Sequence, residues 1–371
     1  MWVGVVMKIL ILAHNAEGLY LPRIELMKQI KSVGYALIVS IPKGIYYEAI
    51  EEIADVVVDT PIDRRGVNPV LDSKLIFFYW QIIRKYKPDC VLSYAIKPNL
   101  YGGLVSRLFG VPYMMNITGL GTAFASNGIV SKIATLFYRL VAGNEHCVFF
   151  QNVGNYNVLT DRGIKWRNPV FIPGSGVNLS LHRYEKYPEN DDRVIFLFVS
   201  RIIKEKGIYE LAEAAKVIRN KYNNVEFHVL GKCEQGYDSV VEKWNNDGII
   251  VYHGHQSNVH EYLKRCHALI HPSYYPEGLS NVCIEAAATG RPVLTTNDIY
   301  GCKETIDDGI TGYGFQSRNV ESLISAVEKF LGLTNKKRSE MGIAGRKKME
   351  KEFDRTIVVR AYMEEIGKLK D

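Results

Sequence analysis

The feature that most limits the fold is an alternation running from end to end. Short apolar runs suited to buried strands take turns with segments of helical periodicity. In the first half, strand-like runs lie at residues 8–14, 35–41, 54–58, 90–94, 112–117, 147–151 and 170–172. Helical patterns sit between them at 21–33, 46–53, 70–86, 99–109, 128–141 and 154–162. Near-continuous apolar strands separated by helices predict a parallel sheet covered on both faces. The chain then enters PGSGVNLSLHRYEKYPENDD, residues 173–192, which is rich in Gly, Pro and polar residues and reads as an inter-domain linker. A second series starts at Val194: VIFLFVS, a helix over 207–222, VEFHVLG, a helix near 239–246, IIVYHG, a helix over 259–266, ALIHPS, a further helix, and PVLTT. A charged helical tail covers 320–370. At 371 residues the chain suits two cores rather than one. The expected fold class is α/β, with two doubly wound, Rossmann-like domains facing a central cleft. Ligands in such sheets bind at the carboxyl ends of the strands.

Composition narrows the partners. Hydrophobic residues make up 47% and charged residues 23%, the balance of a folded globular chain. The net charge of +6, from 46 basic and 40 acidic residues, fits phosphate ligands or an anionic surface. It falls short of a nucleic-acid footprint, so no nucleic-acid partner is expected. Cys90, Cys147, Cys233, Cys266, Cys283 and Cys302 form no C-x-x-C pair and read as buried free thiols of a reducing cytosol. The apolar start, MWVGVVMKILILAH, lacks a basic leader and a small-residue cleavage site; residues 8–13 read as a first strand rather than a signal peptide. No apolar run approaches the ~20 residues that span a bilayer.

Four features of the second half carry chemistry. Arg201 and Lys206, in RIIKEKG, fall where a strand gives way to a helix. An arginine there can hold two phosphate oxygens and a lysine adds a compact charge, although strand-end cations are as often simply solvated. Gly231 ends VEFHVLG and leaves room for a ligand to approach; an ordinary turn glycine is the simpler reading. His253 and Gly254 end IIVYHG, in a loop of the kind that grips a flat base through backbone groups. The last feature is HPSYYPEGLSNVCIEAAATGRP, residues 271–292. It reads as a strand end, a turn carrying Pro276, Glu277 and Gly278, and a helix with Ser280 as N-cap and Gly290 as its stop. Glu277 and Glu285 stand on either side of the helix start, whose backbone N–H groups suit an anion. Two carboxylates around an anion site suit a ligand with a phosphate in the middle and hydroxyls at both ends, such as a nucleotide-sugar. A glutamate pair by itself is more often a solvated face. Here AAATG follows Glu285, and a charge on a closely packed helix needs a partner.

This constellation resembles the retaining nucleotide-sugar glycosyltransferases of family 4, which have the two-domain GT-B fold. RIIKEKG resembles the family's diphosphate-binding segment, EGLSNVCIE its E-x7-E signature, and EAAATGRPVLTT and GCKETIDDGITGYGF the blocks that follow. FIPGSGVN resembles the usual start of the linker, with Asn178 where an aspartate is more usual. In the first half, KPNLYG (residues 97–102) and NITGLGTAF (residues 116–124) resemble a subgroup that extends polyprenyl-diphosphate-linked glycans. Members of that subgroup transfer hexoses or N-acetylhexosamines in capsule, O-antigen or glycoprotein glycan assembly. The resemblance covers essentially the whole chain. It implies an acceptor-binding domain over 1–180, a nucleotide-sugar-binding domain over 181–352, and a C-terminal helix, 353–371, packing back toward the first.

The resemblance also implies roles. Arg201 and Lys206 would bind the donor diphosphate. Gly278, Leu279 and Ser280 would offer backbone N–H groups to the distal phosphate and the sugar. Glu277 would contact the transferred sugar and Glu285 the ribose hydroxyls, with Gly231, His253 and Gly254 beside the nucleotide. Many family members carry a histidine in a first-domain loop near the reacting centre; the equivalent position here is Thr118. His14, Lys97, Asn99, Gly119 and Gly121 are the acceptor-side candidates. No D-x-D triplet occurs, so no metal and no cofactor is expected beyond the donor, taken as UDP-linked by family habit.

A lipid-linked acceptor would place the protein in the cytoplasm, peripheral on the inner face of the membrane. Two first-half segments suit that surface. LIFFYWQIIRKYK, residues 75–87, joins Phe77, Phe78, Tyr79 and Trp80 to Arg84, Lys85 and Lys87, though flanking strands favour a core-packed helix. IVSKIATLFYRLV, residues 129–141, is apolar nearly all round with only Lys132 and Arg139 charged. Three other readings compete. A dinucleotide-dependent oxidoreductase would carry G-x-G-x-x-G after its first strand, where this chain has AHNAEG, and GLGTAF comes late. A non-catalytic nucleotide- or sugar-binding protein would need neither the cation pair nor both glutamates. A glycosyltransferase acting on a soluble acceptor would not need the apolar, basic helices.

Overall fold

The computed structural model describes residues 6–62, 68–121, 124, 128–189, 193–234 and 236–370. The chain divides into two compact units, Met1–Ser175 with Arg355–Asp371, and Gly176–Asp354.

The first unit is built on seven parallel strands: β1 (Lys8–Leu12), β2 (Ala36–Ile41), β3 (Val56–Asp59), β4 (Cys90–Tyr94), β5 (Tyr113–Ile117), β6 (Cys147–Phe150) and β7 (Pro169–Phe171). Their order in the sheet is β3-β2-β1-β4-β5-β6-β7. Helices α1 (Ala16–Ser32), α2 (Tyr47–Glu51), α3 (Pro69–Tyr86), α4 (Gly103–Phe109), α5 (Ile129–Val141) and α6 (Val153–Asp161) make the crossovers. Alternation along each strand splits the side chains between two apolar layers. Leu10 and Leu12 of β1 pack with α3 and α5, while Ile9 and Ile11 pack with α1.

The second unit repeats the plan with six parallel strands: β8 (Val194–Val199), β9 (Val225–Leu230), β10 (Val251–Tyr252), β11 (Ala268–His271), β12 (Val293–Thr296) and β13 (Gly312–Phe315), in the order β10-β9-β8-β11-β12-β13. Its helices are α7 (Ile208–Lys221), α8 (Asp238–Asn246), α9 (Val259–Arg265), α10 (Asn281–Ala288), α11 (Val320–Leu331) and α12 (Asn335–Lys348). Strand order reverses between β1 and β4 in one sheet and between β8 and β11 in the other. The carboxyl ends of those four strands are therefore where a doubly wound sheet opens to ligands.

Three details differ from the sequence reading. The IIVYHG strand shrinks to the two residues of β10, and β13 adds a strand that glycine content had hidden. At Gly312 a Cβ would meet the Val293 carbonyl oxygen at 1.8 Å, so only glycine lets β13 lie against β12. The polar stretch 173–192 also packs closely over part of its length: Tyr187 is buried and its hydroxyl donates to the His267 carbonyl at 3.0 Å. Residues 190–192 lie outside the described residues.

The tail breaks into α11, α12 and α13 (Arg355–Gly367), and α13 belongs to the first unit. Tyr362 on α13 is buried, its ring 4.1 Å from that of Phe149, and Asn116 donates to its hydroxyl. Arg355 pairs with Glu25 of α1 at 3.0 Å. All six cysteines are unpaired, and all but Cys233 are buried.

Candidate active site

In the second unit, β8 and β11 are neighbours, so Arg201 and Lys206 emerge beside the loop that carries Glu277. Lys206 sits in a single 3-10 turn, Lys204–Lys206, closed by Gly207 in the left-handed region at φ 76°. A Cβ at Gly207 would meet the Pro272 carbonyl oxygen at 2.2 Å, so this glycine lets the Lys206 turn press against the strand end. The Lys206 ammonium bonds the Glu277 carboxylate, and the two side chains are 10% and 14% exposed. Ser273 Oγ donates to the same Glu277 Oε1 at 3.2 Å. His271 Nε2 lies 3.7 Å from that oxygen and 3.0 Å from Ser280 Oγ. Burial pushes the Glu277 pKa up. The Lys206 ammonium and the His271 imidazole outweigh it and hold the carboxyl well below the usual range. Burial also holds the His271 imidazole below its ordinary value, against the pull of Glu277. At neutral pH Glu277 is therefore a carboxylate and His271 a neutral imidazole.

Arg201 is more exposed. Its guanidinium lies 3.6 Å from Glu234 and 5.8 Å from the centre of the Tyr275 ring, and Lys206 lies 5.2 Å from the same ring. The structure thus gathers Arg201, Lys206, Glu277 and Tyr275 at one end of the sheet.

The helix start behaves differently from the expectation. Ser280 occupies the N-cap of α10, yet its side chain makes no capping bond and turns to His271. Its backbone N–H is also taken, donated to the Gly301 carbonyl at 2.7 Å. Of the expected backbone donors at 278–280, that one is spent on holding the 301–305 segment against the loop. Gly278 and Leu279 are buried beside it. Glu285 lies on α10, with His182 Nε2 3.9 Å from its carboxylate.

The nucleotide-side candidates sit on neighbouring strand ends. Gly231 follows β9 at φ 152°, and a Cβ there would meet the Ser200 carbonyl oxygen at 1.7 Å. The close meeting of the β8 and β9 ends therefore accounts for this glycine. Its N–H donates to the Gly254 carbonyl at 2.8 Å. His253 follows β10, and its backbone is engaged at both groups: N–H to Val229 at 3.0 Å, carbonyl from Gln256 Nε2 at 2.6 Å. Its ring turns inward to His228 Nδ1 at 3.1 Å, and His228 in turn reaches Glu226 at 3.0 Å.

In the first unit, His14, Lys97 and Thr118 follow β1, β4 and β5, three strands adjacent in the sheet, and Gly119 and Gly121 continue from Thr118. Asn99 stands apart. It is buried, with Oδ1 accepting from Ser93 at 2.8 Å and Nδ2 donating to the Asn116 carbonyl at 2.9 Å, so its amide ties β4 to β5. In GLGTAF, residues 122 and 123 lie outside the described residues.

Sequence reasoning passed over Tyr275, Ser273, His271 and His182. The first three lie inside the stretch singled out for its glutamates; a polar residue closing an otherwise apolar strand, as His271 closes β11, was the available signal. His182 had none.

Comparison with known proteins places both units. Residues 8–152 match the glycosyl transferase 4-like family and residues 183–348 the glycosyl transferases group 1 family. The chain is 24% identical to the N,N'-diacetylbacillosaminyl-diphospho-undecaprenol alpha-1,3-N-acetylgalactosaminyltransferase of Campylobacter jejuni, over 96% of this chain and 97% of that one. It is 25% identical to the capsular polysaccharide biosynthesis glycosyltransferase CapM of Staphylococcus aureus, over 80% of each. Its fold is similar to that of Anabaena HepE in complex with UDP-glucose, with a TM-score of 0.78 at 16% identity over 98% of this chain and all of that one. With its two parallel-sheet units and paired family matches, the chain belongs to the glycosyltransferases of the GT-B fold, a glycosyl transferase 4-like domain followed by a group 1 domain.

Proposed function

We propose that the enzyme moves a hexose or N-acetylhexosamine from a UDP-sugar to a polyprenyl-diphosphate-linked glycan, with retention and without a bound metal. The observation that carries the donor half is the enclosed Lys206–Glu277 pair at the point where the second sheet reverses. Charge builds on the distal phosphate of the nucleoside diphosphate as the glycosidic bond breaks. Lys206, Arg201 and the first turn of α10 are the groups positioned to meet it, and fixed donors of this kind contribute about 3 kcal/mol each to the transition state. Glu277, ionised and held by Lys206, is fixed to accept hydrogen bonds from sugar hydroxyls. Glu285 serves the ribose. Retention follows if the acceptor attacks from the face the phosphate leaves, with the departing phosphate taking the acceptor's proton. That charge is met by side chains and backbone, which is why no metal enters the scheme.

The acceptor half draws on the relatives. The Campylobacter protein is named for a diphospho-undecaprenol substrate and the Staphylococcus protein for capsule synthesis. A membrane surface suits α5, which exposes Ile129, Val130, Ile133, Leu136 and Leu140 and carries Lys132 and Arg139. Helix α3 adds the exposed Phe77 near Arg84 and Lys85, with its inner face, Leu75, Tyr79, Ile82 and Ile83, buried in the core. No described helix is long and apolar enough to cross a membrane. The reading places the enzyme on the cytoplasmic face, held at the surface.

The deciding experiment has two steps. A thermal-shift screen over UDP-GalNAc, UDP-GlcNAc, UDP-galactose and their GDP and CDP counterparts identifies the donor, since a ligand of the folded state raises stability with its affinity. UDP release is then measured with and without an undecaprenyl-diphosphate-linked glycan. A protein that none of these donors stabilises, and that releases no UDP, overturns the reading.

A further inference from the structure

Lys97 occupies an unusual place in the first unit. It follows β4, at the edge where strand order reverses between β1 and β4. Ala95 takes φ 76°, a left-handed turn that swings the chain off the strand. A π-helical turn, Pro98–Gly102, follows at once and is buried throughout, with Asn99 bonded to β4 and β5. The backbone carrying Lys97 is therefore fixed on both sides, and the ammonium stands at the end of a four-carbon stem.

The ammonium pairs with Asp72 of α3 at 2.8 Å, and the two side chains are 16% and 14% exposed. The contact is an ion pair without good hydrogen-bond alignment: Asp72 Oδ1 is buried and has no hydrogen-bond partner among the described residues. Burial, and after it the charge of the nearby Asp72 carboxylate, push the Tyr101 hydroxyl pKa up. Asp72 therefore has a hydroxyl close by when Lys97 leaves, which lowers the cost of parting the pair. The Tyr101 ring packs edge-on against Phe137 of α5 at 5.6 Å. A single aromatic contact thus joins the ion pair to the helix whose outer face exposes five aliphatic side chains.

We propose that Lys97 binds the diphosphate of the lipid-linked acceptor, exchanging Asp72 for the phosphate oxygens. The proposal rests on the polyprenyl-diphosphate reading above. A diphosphate offers more charge and more acceptor oxygens than one carboxylate, so the exchange runs toward the substrate. Tyr101 is the neighbouring hydroxyl of Asp72, and its packing on α5 places the diphosphate next to the lipid-facing helix. Asp72 keeps the ammonium ordered before the acceptor arrives.

The test uses the full chain and two acceptors, one glycan on undecaprenyl diphosphate and the same glycan on a neutral alkyl chain. Lys97→Gln should raise the acceptor KM tenfold or more for the diphosphate substrate only. Lys97→Arg should restore most of the affinity, and Asp72→Asn should leave the acceptor KM equal or lower. An unchanged KM in Lys97→Gln, or equal losses on both acceptors, overturns the proposal. Thermal stabilisation by geranyl diphosphate separates it from the functional reading. Stabilisation of the parent protein but not of Lys97→Gln upholds the site even if no lipid-linked glycan is a substrate. Equal stabilisation of both, or of neither, removes it.

Discussion

Arg291 gives the sharpest quantitative test of how the second unit holds together. Its side chain is fully buried, and no carboxylate answers its charge among the described hydrogen bonds and ion pairs. Nε donates to the Leu263 carbonyl at 2.8 Å. NH1 reaches the Glu185 and Gly290 carbonyls at 3.0 and 3.1 Å, and NH2 those of Lys186 and Lys264, both at 2.9 Å. A guanidinium has five N–H donors, and five carbonyls accept them. Replacing Arg291 with Met keeps the bulk and removes the charge. It strands five carbonyl oxygens at roughly 1 kcal/mol each, and relief from burying a charge offsets about 1–4 kcal/mol of that. The net expectation is a loss of about 1–4 kcal/mol. At an m-value of about 2 kcal/mol/M, the urea midpoint then falls by about 0.5–2 M with the slope unchanged. Arg291→Lys should recover little, because three donors on a point charge do not reach five carbonyls. The three bonded segments flank His182, the end of α9 and the end of α10, so donor KM should rise in parallel. A midpoint within about 0.25 M of the parent would refute the argument, since it would mean the five bonds contribute nothing net.

Other expectations follow from the site. Lys206→Met and Glu277→Gln should each lower kcat about a hundredfold or more, as for a lost oxyanion contact; single-turnover transfer in a variant with a parent-like circular dichroism spectrum checks this, and near-normal turnover contradicts it. The Glu277 carboxyl is depressed in the folded state, so its contribution is complete above the unfolded value of about 4.3 and is lost as pH falls toward the native one. Denaturation between pH 6 and 3 should therefore show an acid limb that is shallower in Glu277→Gln; identical limbs would count against the coupling. On α5, Ile133→Asp with Leu136→Asp should abolish sedimentation with anionic vesicles at low salt and leave donor hydrolysis intact, and unaltered sedimentation would move the membrane surface elsewhere.

Much of the fold was readable because both sheets are parallel and covered on both faces, which writes each strand as an unbroken apolar run. The runs at β1, β4, β8 and β11 needed no context. β13 escaped because its reading, GYGF, carries the glycine that its neighbour's backbone demands and little apolar signal. The donor-side residues were legible as types and spacings: Arg201, Lys206 and Glu277 do come together. Their mutual arrangement was not. Nothing in the spacing shows that Lys206 would bond Glu277 directly, that Ser280 would abandon its capping role for His271, or that the Ser280 N–H would go to Gly301. Those depend on contacts between segments far apart in the chain. Asn99 shows the same dependence on distant contacts. It was picked as an acceptor contact through its motif, and the fold spends both ends of its amide on joining two strands.

The placement of α13 bears on how the chain acquires its structure during synthesis. The second unit is one continuous segment, Gly176–Asp354, whereas the first needs Arg355–Asp371 as well. Emerging from the ribosome, the later unit has all its residues before the earlier one does. The layer around Phe149 and Asn116 waits for Tyr362, which emerges after the whole of the second unit. Until then the sheet formed by β1 to β7 has an apolar face with a missing row. The first unit is the one exposed to proteases and aggregation on the way to completion, and a stop codon at Arg355 would spare residues Gly176–Asp354 while leaving the first unit unfinished.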